Sequence, residues 1–149
     1  MIQAIYWNTS ALLKLYAPER DSSAYRQLLI SRPEMIALSD LHLVKMYYAL
    51  AAKQLRGEIV NGAASRLYAS FGQHLKDGRF LRVELKTDVL SLSHDLLEDC
   101  LAAKPPMSLR SLDGIHLAAM RHSGISAMVT ADLRMHQAAR LLGLHTIDP

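Results

Sequence analysis

Ile5-Tyr6-Trp7-Asn8-Thr9-Ser10-Ala11-Leu12 carries three large apolar residues in succession straight into an asparagine and two hydroxyls. Such a run has no water-facing side, so it reads as a strand from Ile2 to Trp7 covered on both faces, as inside a parallel sheet. Asn8 then stands at the strand's carboxyl end, and Thr9 or Ser10 is placed to cap a short helix reaching Leu15. In open α/β sheets ligands collect beyond the strands' carboxyl ends, which makes Asn8 a candidate site position.

Outward from this segment, short apolar runs alternate with stretches of helical period. Pro18 breaks the first helix, and a second is expected from Ser22 to Ser31. Met35 to Leu38 reads as a strand. From Asp40 to Leu55, the residues Leu41, Val44, Tyr48, Ala52 and Leu55 recur at helical spacing, with Ser39 as a cap and Gly57 past the end. Glu58 to Lys76 is expected to fold back on this helix across the Arg56-Gly57 turn, giving a helical hairpin at about 40–76. A strand from Phe80 to Leu85 and a helix from Thr87 to Ala103 follow, and Pro105-Pro106 imposes a loop. The remainder reads as a helix from Ser111 to Ser123, a strand from Ala127 to Thr130, a helix from Leu133 to Leu142 and a final strand from His145 to Ile147. Strand and helix in alternation imply right-handed crossovers and an α/β fold with a mostly parallel central sheet flanked by helices.

A chain of 149 residues, half of them apolar, suits one domain over 1–149 with a sizeable core. No apolar run approaches the roughly 20 residues that span a bilayer, and Met1 to Ile5 show no secretory pattern, so a cytoplasmic protein without a membrane partner is expected. The single cysteine, Cys100, leaves no disulfide or cysteine-based zinc site within the chain. A net charge of +3, with its Lys and Arg dispersed, permits an anionic partner without requiring one.

There is no Gly-rich phosphate loop, nucleophile elbow or histidine pair at metal-ligand spacing. What remains is a set of dispersed acids. Asp132, in Val129-Thr130-Ala131-Asp132, follows a strand and opens a helix, so an N-cap role accounts for it as well as a ligand role does. Asp113, in Leu112-Asp113-Gly114-Ile115-His116-Leu117-Ala118, lies in a helix's first turn, where a carboxylate also suits the macrodipole.

Taken in order, these segments resemble the PIN domains, and in particular the VapC-type toxin ribonucleases. The similarity covers nearly the whole chain, from Ile5 to Leu142-Gly143-Leu144. It implies a PIN-like three-layer fold and a Mg²⁺- or Mn²⁺-dependent endoribonuclease. In that family, acids from the first strand's end, the third helix, a later helix and the following strand converge on the metal. Hard divalent ions choose oxygen ligands, activate water and stabilise charge on the attacked phosphate. By the resemblance, Asp113 and Asp132 match two of the acidic positions and are the implied catalytic and metal-binding residues. Two positions depart from the pattern. Asn8 stands where the family has Asp, and Lys45, in Val44-Lys45-Met46-Tyr47-Tyr48-Ala49-Leu50, stands where it has Glu.

These two substitutions change the pocket from four negative charges to a net one. A unit charge pair at about 4 Å is worth roughly 4 kcal/mol at an effective dielectric near 20, so an ammonium here opposes a divalent ion strongly. Lysines on helices are usually solvated, but Lys45 shares a side with Leu41, Tyr48 and Ala52, which places it on or beside the inward stripe. The expectation is therefore a degenerate active site, weak or inactive as a ribonuclease, with Lys45 paired to Asp113 and Asp132 in place of a metal. The alternative is a non-catalytic PIN-like module that binds RNA or an antitoxin. Asp40 and His42 are candidate substitute ligands. Ser10, His116 and Arg134 are candidate substrate-binding residues, with Arg110 and Arg121 also flanking the site. Helix capping explains Ser10 equally well, and a packed structural role suits His116. The resemblance further implies a VapB-like antitoxin that presents a basic residue to the pocket, and a homodimer. An apolar face of the 40–76 hairpin is the candidate dimer surface.

Overall fold

The computed structural model describes residues 3–149, so the part of the expected first strand at Ile2 lies outside the described residues. Five strands form one sheet in the order β3-β2-β1-β4-β5. They are β1 (Ala4–Trp7), β2 (Met35–Ser39), β3 (Phe80–Val83), β4 (Ala127–Val129) and β5 (His145–Ile147). Every pairing is parallel, with Tyr6 facing Ala37 on one side and Met128 on the other. Central β1 is thus paired along both edges, which is why it carries no polar residue between Ala4 and Trp7.

Among the described residues seven helices cover the two faces: α1 (Thr9–Leu13), α2 (Ser22–Ser31), α3 (Leu41–Leu55), α4 (Ala63–Lys76), α5 (Thr87–Ala102), α6 (Ser111–His122) and α7 (Leu133–Leu141). The pleat sends alternate residues to opposite cores. Ile5, Trp7, Ile36, Leu38 and Val129 pack against α1 to α4 through Leu12, Tyr25, Met46, Leu50 and Phe71. Tyr6, Ala37 and Met128 pack against α5 to α7 through Val89, Leu96, Leu117, Met120 and Met135. The result is the three-layer α/β architecture expected from the sequence.

The chain leaves β1 toward β2 and β3, then returns to β4 on β1's other side. The strand order therefore reverses between β1 and β4. Crossovers running in opposite directions diverge there and leave a crevice beyond the strands' carboxyl ends. Asn8 and Thr130 are the first residues past those two ends.

The α3–α4 pair packs as a hairpin. Tyr68 donates its hydroxyl to the Leu43 carbonyl at 2.6 Å, and the Gln54 side chain accepts from the Ala64 amide at 3.0 Å. However, α4 begins at Ala63 rather than Glu58. Val60 is exposed, and the chain turns through Gly62 at φ +82° before the helix starts.

The inward stripe of α3 also differs from the expected one. His42, Met46, Leu50 and Lys53 are buried, whereas Val44, Tyr48 and Leu55 are 56, 72 and 89 % exposed. Apolar spacing alone favours the larger hydrophobic residues as the inward stripe, yet this helix buries two polar side chains that find partners. His42 is held by backbone groups, and Lys53 pairs with Glu19 at 3.4 Å and Glu58 at 3.2 Å. Ser39 does not cap α3; its hydroxyl faces Tyr6, and Asp40 holds the N-cap position.

Candidate active site

Asn8 holds the N-cap position of α1, so neither Thr9 nor Ser10 caps it. Its backbone amide donates to the Val129 carbonyl at 2.8 Å, continuing the β1–β4 ladder by one bond and fixing the residue in the crevice. The Asn8 amide nitrogen donates to Thr130 Oγ1 at 3.1 Å and to Ser10 Oγ at 3.4 Å. Ser10 Oγ accepts from the Ala131 amide at 3.1 Å, and Thr130 Oγ1 from the Asp132 amide at 3.0 Å. This lattice ties the two strand ends together. Asn8 Oδ1 is buried and has no hydrogen-bond partner among the described residues.

Asp132 caps α7, its Oδ1 accepting from the amides of Arg134 at 2.9 Å and Met135 at 3.4 Å. Its other oxygen accepts from Arg110 Nη2 at 2.7 Å. Burial raises the Asp132 pKa, but the Arg110 hydrogen bond and the two amides outweigh it and hold the carboxyl below its ordinary value. Asp113, buried in the first turn of α6, accepts Arg110 Nε at 2.6 Å. One guanidinium thus spans both carboxylates, and both hydrogen bonds raise the Arg110 pKa.

Arg110 is set in place by the chain before α6. It occupies the helix's N-cap position with extended backbone, and its carbonyl accepts the Gly114 amide at 2.9 Å. A side chain at position 114 would meet Leu109 at 3.4 Å, so the glycine leaves room for Leu109 to fold onto the helix.

Lys45 is half-buried beside this cluster. Burial lowers its pKa, and Arg110 lowers it further, while Asp113 and Asp132 act in the opposite direction. On α3 it borders the buried stripe of His42, Met46 and Leu50, near enough to Asp113, Asp132 and Arg110 to feel their charges. The expected ion pairs from Lys45 to both acids are not formed: the carboxylates pair with Arg110. Arg110 starts one turn from Asp113 and reaches with a planar two-sided donor, which a lysine from another helix cannot match.

The remaining candidates separate clearly. Asp40 is no substitute ligand, since it accepts from Arg82 at 2.6 Å and from the Leu85 amide. Nor is His42, whose ring nitrogens meet the Trp7 carbonyl at 2.7 Å and the Ser39 amide at 3.1 Å. His116 meets the Tyr6 hydroxyl at 2.6 Å rather than Asp113, leaving Nε2 buried without a partner among the described residues. Burial, His42 and Lys45 hold the His116 pKa well below its ordinary value. Arg134 lies beside Arg110 and Asp113 along a shared cavity. Arg121 instead donates to the Leu142 carbonyl and is occupied there. Thr130, the hub between Asn8 and Asp132, was quoted in the sequence motif but given no role. The expected strand runs to Thr130, whereas β4 ends at Val129 and leaves Thr130 just past it.

The whole arrangement, from the β1–β4 crevice to the acids on α6 and α7, coincides with a known family. The PIN-domain model matches residues 5–141. The chain belongs to the PIN-domain family. It is 36 % identical to "Ribonuclease VapC46" of Mycobacterium tuberculosis over 98 % of each chain, and 31 % identical to "Ribonuclease VapC35" of the same species over 97 % of this chain and 96 % of the relative. In fold, this PIN domain matches the crystal structure of the M. tuberculosis VapC20 toxin at a TM-score of 0.70, with 16 % identity over 97 % of this chain and 99 % of that one. It also matches the DNA-bound VapBC of Salmonella typhimurium at 0.65, with 17 % identity over 99 and 98 %. It is a VapC-like PIN protein.

The resemblance implies a divalent metal, and the donor set of this PIN domain does not fit a resident divalent ion. No three His, Cys, Asp or Glu side chains converge among the described residues. The two carboxylates already share Arg110, and Lys45 adds a second positive charge, so the cluster is formally neutral. The free Asn8 Oδ1 supplies one neutral oxygen, whereas magnesium sites rest on carboxylate charge.

Proposed function

We propose that this chain is the VapC-like partner of a toxin–antitoxin pair that retains RNA and antitoxin binding, with Mg²⁺- or Mn²⁺-dependent endoribonuclease activity weak or absent in the present sequence. The observation that carries this reading is Arg110 bridging Asp113 and Asp132 at 2.6 and 2.7 Å. A divalent ion entering this site has to displace an ion pair and face Lys45. The names of the structural relatives, which include toxin–antitoxin complexes from Klebsiella pneumoniae and Rickettsia felis, support an antitoxin partner.

In this reading the residues of the site divide the work. Lys45 and Arg110 receive RNA phosphate, Asp113 and Asp132 orient the guanidinium, and Asn8 with Ser10 and Thr130 holds the two strand ends together. Arg134 extends the cationic edge. The exposed face of α3, with Val44, Tyr47, Tyr48 and Leu55, is the proposed contact between two copies. Cytoplasmic action accords with an RNA target, and among the described residues no helix is long and apolar enough to cross a membrane.

Incubating the purified protein with a mixed RNA pool in Mg²⁺ or Mn²⁺ tests the assignment. Binding without metal-stimulated cleavage is expected. Efficient cleavage that chelator abolishes contradicts the degenerate-site reading, and absence of RNA binding contradicts the binding reading.

A further inference from the structure

A cavity of about 430 Å³ opens beside the paired carboxylates, between the loop leading into α6 and the face of α7. Its volume lies within the range of small-ligand pockets. Met107, Leu109 and Ala138 give it an apolar wall, continuous with the core under α6 and α7. Gln137 is exposed at its edge, and its side chain makes no hydrogen bond among the described residues, so both donor and acceptor are free. Arg110 and Arg134 border the same space beside Asp113.

This combination of an apolar slot, a free amide and neighbouring guanidiniums suits one chemical unit: a planar heterocycle joined to an anion. We propose that the cavity receives one unstacked base of a single-stranded RNA, read by Gln137, while the adjoining phosphate lies against Arg134 and Arg110. The inference rests on the RNA-binding reading above and adds to it a residue that sets base preference. Splayed bases of single strands are the usual target of sequence-specific RNA recognition, and guanidinium planes serve as stacking partners where aromatics are missing. The charge also separates this occupant from a basic peptide side chain, which would meet two arginines at the entrance.

The test uses the full chain and short fluorescent oligoribonucleotides, with one position carrying each of the four bases or no base. Binding is measured by anisotropy over a salt series. The wild type is expected to favour one base over the abasic oligomer by about tenfold, as one well-placed base contact does. Gln137→Ala should reduce that preference to within about threefold at unchanged salt slope. Arg134→Ala should weaken all oligomers alike and lower the slope by about one. Gln137 is exposed, so unfolding midpoints close to the wild type are expected for the variant.

Equal binding of based and abasic RNA overturns the base site while leaving RNA binding intact. Failure to bind any oligomer overturns the RNA-binding reading itself. If Gln137→Trp, which blocks the cavity, abolishes antitoxin binding and leaves RNA binding untouched, the occupant is a peptide and the inference is wrong.

Discussion

Asp113 of α6 and Asp132 at the start of α7 hold the same guanidinium, Arg110, between them at 2.6 and 2.7 Å. Two carboxylates close enough to share one cation repel each other unless it is present. In a metal-dependent nuclease the cation is an ion taken from solution. In this chain the Arg110 side chain pairs with both carboxylates.

Arg110→Ala therefore exposes the acids to each other and leaves the buried Asp113 unpaired. We expect a loss of about 1–2 kcal/mol, below the 3–5 typical of a fully buried pair because Arg110 is half exposed. Part of that loss should return on adding Mn²⁺, which the wild type should not show. Thermal unfolding with and without the ion measures both effects.

Lys45 carries the opposite sign of effect. Its pKa is lowered, chiefly by burial, so its charged form is less comfortable folded than unfolded. Lys45→Met should raise the unfolding midpoint while weakening RNA binding. A variant that is both less stable and unchanged toward RNA removes Lys45 from the site.

The buried histidines give a pH dependence of defined direction. Burial pushes His42 down to about 4 from an ordinary value near 6.5, and His116 is also lowered. Between those values the unfolded chain binds protons that the folded chain does not, so stability is complete above about pH 6.5 and falls as pH drops toward 4. Denaturant unfolding between pH 7 and 4.5 should show this loss. His42→Gln should flatten the profile, at some cost in stability at pH 7 because its two ring contacts are not reproduced.

The exposed face of α3 predicts a self-association that can be removed without unfolding. Tyr48→Glu, at a position 72 % exposed, should convert a dimer to a monomer in analytical ultracentrifugation, with the monomer's circular dichroism unchanged. A wild type that is monomeric at tens of micromolar removes α3 as the contact.

Much of this organisation was legible in the sequence, and for physical reasons. Ile5-Tyr6-Trp7 has no polar face, so it had to be a central strand, and Asn8 had to lie at its end. Asp113 and Asp132 were legible because each opens a helix next to a motif. The partner of those acids was not. Lys45 was the obvious cation because it interrupts an acidic position, whereas Arg110 wins through its place at the N-cap of α6 and its two-sided donor geometry. The inward stripe of α3 differs because hydrophobicity favours Val44, Tyr48 and Leu55, while burial of His42 and Lys53 depends on partners distant in sequence: Trp7 for His42 and Glu19 for Lys53. The Thr130 hub was hidden for the same reason, since it exists only once two strand ends are brought together.

Replacement of a divalent ion by the internal cations Arg110 and Lys45 implies a wild type without a metal site. Calorimetric titration of Mn²⁺ into the wild type and into an Asn8→Asp, Lys45→Glu, Arg110→Ala variant tests it most directly. No saturable binding to the wild type is expected, and clear binding to the variant, which restores four carboxylates and removes both positive charges. Saturable binding of Mn²⁺ to the wild type as tight as to the variant would contradict it.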